Sequence, residues 1–139
     1  MGNNLEKKLP RGLRLANPCN IRRSADKWQG LAEEQTDPDF FTFTAMKWGY
    51  RAALRTLQTY QRKYACLSVS DFISRWAPSN ENNTASYIAT VCKRTGWTAD
   101  QVIDVEDEDD MVALAAAMSY VENGVSANLE DIREGWELL

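Results

Sequence analysis

Residues 46–64 read MKWGYRAALRTLQTYQRKY, and the spacing of their apolar side chains decides the fold. Met46, Tyr50, Leu54, Leu57 and Tyr64 recur at helical intervals, which makes this the longest amphipathic helix in the chain and the expected centre of the domain. The opposite stripe carries Lys47, Arg51, Arg55 and Arg62. It is read as a solvated helix face, with phosphate or an anionic polymer as the alternative partner.

Helical patterning continues towards the C-terminus. Ser68 or Ser70 is placed to cap a short helix carrying Phe72, Ile73 and Trp76, which Pro78 stops. Asn82 or Asn83 starts the next, with Tyr87, Ile88 and Val91 turned inward and Gly96 as its stop. Thr98 is expected to cap a short helix through Val102 and Ile103. The acidic run Glu106 to Asp110 opens an apolar helix from Met111 to Val121, since negative charge suits a helix N-terminus. Gly124 ends it, and Ser126 or Asn128 caps a last helix with Leu129, Ile132 and Trp136.

Towards the N-terminus the pattern is weaker. Residues 1–10 read as a flexible arm, and residues 11–30 as irregular chain anchored by Ile21 and Trp28. Thr36-Asp37-Pro38-Asp39 is a turn signal, and Phe40-Phe41-Thr42-Phe43 is the one good strand signal. The expectation is a mainly α (α+β) single domain over residues 11–139, with a small β-ribbon near residues 35–45.

Composition narrows the function. A chain of 139 residues with 44% hydrophobic content suffices for one core. It has no apolar run near the roughly 20 residues of a membrane span and no secretory h-region, so the expected location is a cytoplasm, or outside it by way of other machinery. Histidine is absent, which excludes Ser-His-Asp and Cys-His nucleophiles and His-rich zinc sites. Cys19, Cys66 and Cys92 form no C-x-x-C pair, and there is no Walker or Rossmann loop. An enzyme made from this chain works with carboxylates, and no cofactor or metal is expected.

Charge is segregated: residues 1–75 hold thirteen Lys/Arg against seven Asp/Glu, and residues 76–139 hold three against thirteen. The acidic cluster from Asp104 to Asp110 lacks the spacing of an EF-hand loop, so helix capping is preferred to cation binding or a basic partner.

The segment Trp76-Ala77-Pro78-Ser79-Asn80-Glu81-Asn82-Asn83-Thr84, followed by Tyr87, places an indole, an acid and three amides between two helices. Aromatic rings stack on sugar C–H faces and amides bond hydroxyls and N-acetyl groups, so a glycan suits this loop. A turn that caps the next helix is the alternative.

Taken together, Arg11-Gly12-Leu13-Arg14, Asn17-Pro18-Cys19-Asn20-Ile21-Arg22, Trp28-Gln29-Gly30, Phe41-Thr42-Phe43, Gly49-Tyr50-Arg51-Ala52, Trp76-Ala77-Pro78, Glu81-Asn82-Asn83-Thr84 and Tyr87-Ile88 resemble a family of small phage and prophage proteins. That family carries RGIRNNNPGNIR-like and WAP..EN.T..YI-like motifs. Its members are described as virion structural proteins and are distantly similar to the lysozyme-like domains of peptidoglycan hydrolases. The chain departs from the pattern at Leu15-Ala16, where the family has two asparagines, and at Cys19, where it has glycine.

The resemblance implies a lysozyme-like helical domain that binds peptidoglycan and cleaves its β-1,4 glycan bonds by carboxylate acid catalysis, as a glycoside hydrolase or lytic transglycosylase. The Asn17–Ile21 stretch is similar to the turn that backs the groove of glucosaminidases and transglycosylases. In those enzymes an acid-bearing helix precedes the turn, whereas here only sixteen residues do. The general acid is then either absent or supplied from elsewhere, with Glu33, Glu34 and Glu81 the candidates. Glu81, beside Trp76 and Pro78, is assigned as the acid and Glu34 as the second carboxylate. Trp76, Asn82, Thr84, Tyr87, Asn20 and Trp28 are the expected substrate contacts. The alternative is a non-catalytic phage structural, accessory or inhibitor protein that docks onto a virion or host protein. Nucleic-acid binding through the basic half ranks third.

Overall fold

The computed structural model describes residues 9–78 and 83–139, over which the chain forms six helices. They are α1 (Arg11–Arg14), α2 (Met46–Tyr64), α3 (Val69–Trp76), α4 (Thr84–Thr95), α5 (Glu108–Asn123) and α6 (Leu129–Glu137). Residues 1–8 of the expected arm and residues 79–82 of the loop lie outside the described residues.

Helix α2 runs over the residues its periodicity predicts and buries Tyr50, Leu54 and Leu57 completely. Phe72 and Ile73 of α3, Val91 of α4, Met111, Leu114 and Met118 of α5, and Ile132 of α6 complete the same core. The helix ends follow side-chain chemistry. Ser68 and Asp71 form a reciprocal capping box on α3. Asn83, Asp107 and Asn128 cap α4, α5 and α6 through their side-chain oxygens. Asp107 and Asp110 thus draw part of the acidic cluster into capping, while Glu106 pairs with Arg62 and Glu108 with Arg133.

Four expectations change. Residues 11–14, expected as irregular chain, form the single turn of α1, with Leu15 N donating to Arg11 O. The helix expected from Thr98 is replaced by a turn and an isolated bridge between Ser68 and Val102. Its backbone groups are claimed from outside: Ile103 donates to Leu67 O at 2.9 Å, and Gln61 Nε2 donates to Ile103 O at 3.1 Å. In place of a β-ribbon there are two isolated bridges, Arg22 with Phe40 and Leu31 with Phe43. One side-chain amide stands in for part of a strand's pairing, beside the backbone bond from Ala32 N to Thr42 O at 2.9 Å. Gln35 Oε1 accepts from Thr42 N and Gln35 Nε2 donates to Thr42 O, both at 2.8 Å. The basic stripe of α2 is also only partly solvated. Helix α6 crosses it at Gly135, where a Cβ would lie 2.9 Å from both Arg51 N and Lys47 O. Arg51 Nε donates to Leu138 O at 3.1 Å, and burial lowers its pKa.

The N-terminal segment is fastened by buried amides. Asn17 is fully buried; its Nδ2 donates to Ile21 O and Phe41 O, both at 2.9 Å, and its Oδ1 accepts from Ile21 N at 2.8 Å. Asn123, at the end of α5, reaches up to the same turn and donates to Pro18 O at 2.7 Å. Gly12 fits beneath: a Cβ there would meet Asn20 Oδ1 at 2.5 Å, Asn17 O at 2.7 Å and Asn123 Oδ1 at 2.9 Å. Farther out, Phe41, Phe43 and Ala52 form a second cluster with Trp28, Leu31 and Trp48. Arg11 closes this face by pairing with Asp37 and Asp39.

Two predictions follow from these fastenings. Gly12→Ala is expected to lose about 1–3 kcal/mol in urea denaturation, because three oxygens occupy the methyl's position; a change below 0.5 kcal/mol, by the same principle, would show that the turn shifts freely. Asp37 is held well below the ordinary carboxylate range, first by Arg11 and then by the Phe40 and Asp39 N–H groups. Its unfolded form therefore binds a proton more readily, and the stability it contributes is present above the ordinary value of 3.8 and lost as pH falls through the folded one. Asp37→Asn should be less stable than wild type at neutral pH and lose less on acidification from about pH 4 downward. Parallel acid titrations of the two proteins would refute this.

Candidate functional site

The turn after α1, the ends of α3 and α5, and the middle of α2 enclose a groove of about 280 Å³. The Asn17 turn and the residue after it contribute Cys19, Asn20, Ile21 and Arg22; Phe40 comes from the bridged segment, Thr56 and Tyr60 from α2, Trp76 from α3 and Glu122 from α5. Trp76 and Tyr60 meet edge to face, with centroids 6.3 Å apart at 66°. The Arg75 guanidinium lies 3.3 Å over the Tyr64 ring and 5.5 Å from that of Tyr60, stiffening the outer end of this wall.

Glu122 is the only carboxylate among the described residues that line the groove. Each of its oxygens is held. Asn20 Nδ2 donates to Oε1 at 2.9 Å, and the Tyr87 hydroxyl donates to Oε2 at 3.0 Å. Burial, and then the charge of Glu122, push the Tyr87 hydroxyl far up, so it remains a donor. Asn20 takes a left-handed backbone conformation (φ 54°), which asparagine tolerates better than most residues. Its N–H donates to Asn17 O at 3.0 Å, tying the contact to the buried hub.

The placement of Glu122 runs against helix electrostatics. It sits in the last turn of α5, where the macrodipole disfavours a negative charge. Two directed donors offset that cost and fix the carboxylate towards the aromatic wall. A group oriented in this way can exchange a proton with a ligand oxygen in the groove. The Cys19 thiol beneath it is fully buried; burial raises its pKa and makes it a poor nucleophile.

The residues singled out from sequence separate clearly. Asn20 and Trp76 line the groove, and Tyr87 supports Glu122 from behind. The Thr84 hydroxyl donates to Ala77 O, joining the two flanks of residues 79–82. Trp28 is half-buried in the second cluster and does not line the groove. Glu33 and Glu34 are exposed and are likewise absent from its lining. Glu81 and Asn82 lie outside the described residues.

Sequence reasoning missed Glu122, although a signal was present. Met111, Ala115, Met118 and Glu122 fall on one helical stripe, so an acid continues the buried face of an otherwise apolar helix. Among the described residues, no group of three or more Cys, Asp or Glu side chains is placed to hold a metal ion. No helix among them is long and apolar enough to cross a membrane.

No family model matches the chain. It is 37% identical over 131 residues to protein P5 of Pseudoalteromonas phage PM2, a match covering 91% of this chain and 80% of P5. With that identity over most of both proteins, the chain belongs to the family of phage proteins that includes P5 of phage PM2.

Proposed function

We propose that the protein is a lysozyme-like phage protein that binds peptidoglycan and cleaves its β-1,4 glycan bonds, with Glu122 as the general acid. The observation that carries this is the carboxylate of Glu122, fixed by Asn20 and Tyr87 and facing a groove walled by Trp76, Tyr60 and Phe40. The aromatic wall suits the C–H faces of sugar rings, and a ring seated there excludes water from the acid.

The chain order also supports the reading. In the glucosaminidases and transglycosylases that the Asn17–Ile21 turn resembles, the acid-bearing helix comes before the turn. Here α5 follows the turn, yet Glu122 is bonded to Asn20 from 102 positions away. On this reading α5 supplies the acid from the other side of the turn in chain order.

In the proposed reaction the Glu122 carboxyl gives its proton to the glycosidic oxygen as the bond from that oxygen to the anomeric carbon breaks. The resulting carboxylate then takes a proton from the attacking hydroxyl, whether of water or of the sugar itself. Glu81 remains a candidate second carboxylate. The phage relationship makes a virion the proposed place of action, with the peptidoglycan of the host as substrate.

The test is release of soluble muropeptides from purified peptidoglycan. Wild type should release them, and Glu122→Gln should lower the rate by about 100-fold or more. Glu34→Gln should match wild type, and Glu81→Gln reports whether a second acid takes part. No release by folded wild-type protein, or full activity of Glu122→Gln, would overturn the assignment.

A further inference from the structure

We propose that the cavity between α2 and the end of α6 is a second binding site, which takes the phosphate group of a small ligand through Arg55 and Arg51. It is independent of the glycan-cleaving reading: among the described residues, none lines both this cavity and the groove of Glu122. The cavity measures about 330 Å³ and is lined by Arg55, Gln58, Arg62, Glu106, Trp136 and Leu139. By helical spacing, Arg55, Gln58 and Arg62 occupy a different face of α2 from Thr56 and Tyr60, which line the groove.

The arginines are held in place by the fold. Arg55 Nη1 donates to Gln58 Oε1 at 3.1 Å, and Gln58 is buried, with its Nε2 donating to Val105 O at 3.4 Å. A buried amide thus fixes the Arg55 guanidinium at the cavity wall. Arg51 lies one helical turn earlier on the same stripe, and its Nε donates to Leu138 O. Burial, and then the charge of Arg55, lower the Arg51 pKa, so the two guanidiniums stand close enough to repel. Among the described residues, each is bonded to a neutral oxygen and neither is paired with a carboxylate. Glu106, the one carboxylate side chain among the described residues lining the cavity, is paired with Arg62. By contrast, Arg11 and Arg133 each meet two carboxylates. An anion at Arg55 offsets the repulsion that the fold builds in. A phosphate monoester suits it best: it carries roughly −1.5 to −2 charges and three acceptor oxygens, enough to engage two arginines, whereas a carboxylate brings a single charge. Trp136 offers an apolar face to the organic part of the ligand. The formal net charge of −4 opposes a long polyanion, which favours a small ligand over a nucleic acid.

The experiment is calorimetric titration of inorganic phosphate into wild type, Arg55→Gln, Arg51→Gln and Arg14→Gln. Arg14 is an exposed arginine of α1 outside the cavity, so its substitution controls for net charge alone. Wild type should bind saturably, and more weakly as salt is added. Arg55→Gln should weaken binding by about tenfold or more and Arg51→Gln by about threefold or more, with Arg14→Gln within about twofold of wild type. In wild type, phosphate should also shift the NMR resonance of the Trp136 indole N–H and leave that of Trp76 in place, a readout that needs no variant. Absence of saturable binding, equal losses in Arg55→Gln and Arg14→Gln, or a shift at Trp76 without one at Trp136 overturns the site. Acetate binding as tightly as phosphate overturns the choice of ligand. A single-stranded DNA oligonucleotide lacking terminal phosphates, if it binds more tightly than phosphate, replaces the small ligand with a polymer and overturns the proposal in that form. None of these outcomes bears on Glu122.

Discussion

The structure depends on a clasp between the turn that follows α1 and the last part of α5. Asn17 is buried with both ends of its amide bonded, and Asn123 donates to Pro18 O from a helix 105 positions later. A buried amide left without partners costs more than a made hydrogen bond gains. Each partner therefore holds the other in place. Once the clasp is made, Cys19 is sealed below the turn, Ile21 turns towards the core, and Asn20 faces Glu122. Gly12 and Gly49 permit the close approach on either side: a Cβ on Gly49 would lie 2.3 Å from Ala16 O.

The same clasp explains how a disfavoured carboxylate is kept. Glu122 precedes Asn123 by one residue, so the helix end that anchors the turn also presents the acid. A surface glutamate at that helix end would interact unfavourably with the macrodipole and gain nothing in return. Here the Asn20 and Tyr87 donors offset the cost, and each is fixed by a different element. The carboxylate cannot swing away without breaking two bonds to two independently packed groups. Preorganisation of this kind allows a side chain to act without first being gathered from a mobile state.

Apart from the short α1, the helices were legible because their signals are local. The apolar stripe of α2 and the caps at Ser68, Asn83 and Asn128 depend on residues within one or two turns. What was not legible depended on distant partners. The Thr98 segment has helical composition, but Leu67 and Gln61 claim its backbone groups. The Phe40–Phe43 segment has strand composition, but Gln35 takes the Thr42 N–H and shares the Thr42 carbonyl with Ala32 N. At the site, Asn20 and Trp76 could be named because they lie in recognisable motifs. Glu122 lies in none, and only its place on the buried stripe of α5 marked it. The basic stripe of α2 was likewise judged from one helix, and what covers Arg51 belongs to the C-terminus.

Chain order constrains such a site less than local geometry does. The acid and the amide that orients it are 102 positions apart, whereas the acid and its tyrosine are 35 apart. Closing the longer loop costs little more than closing the shorter one, because loop entropy grows only with the logarithm of length. The catalytic arrangement proposed here therefore requires that an acid-bearing helix end meet an asparagine turn, and leaves open which of the two is synthesised first. It does require that both ends of the chain be in place. Sequence comparison along the chain looks for the acid ahead of the turn, where the described residues 9–16 hold none, whereas packing brings Glu122 to the turn from behind.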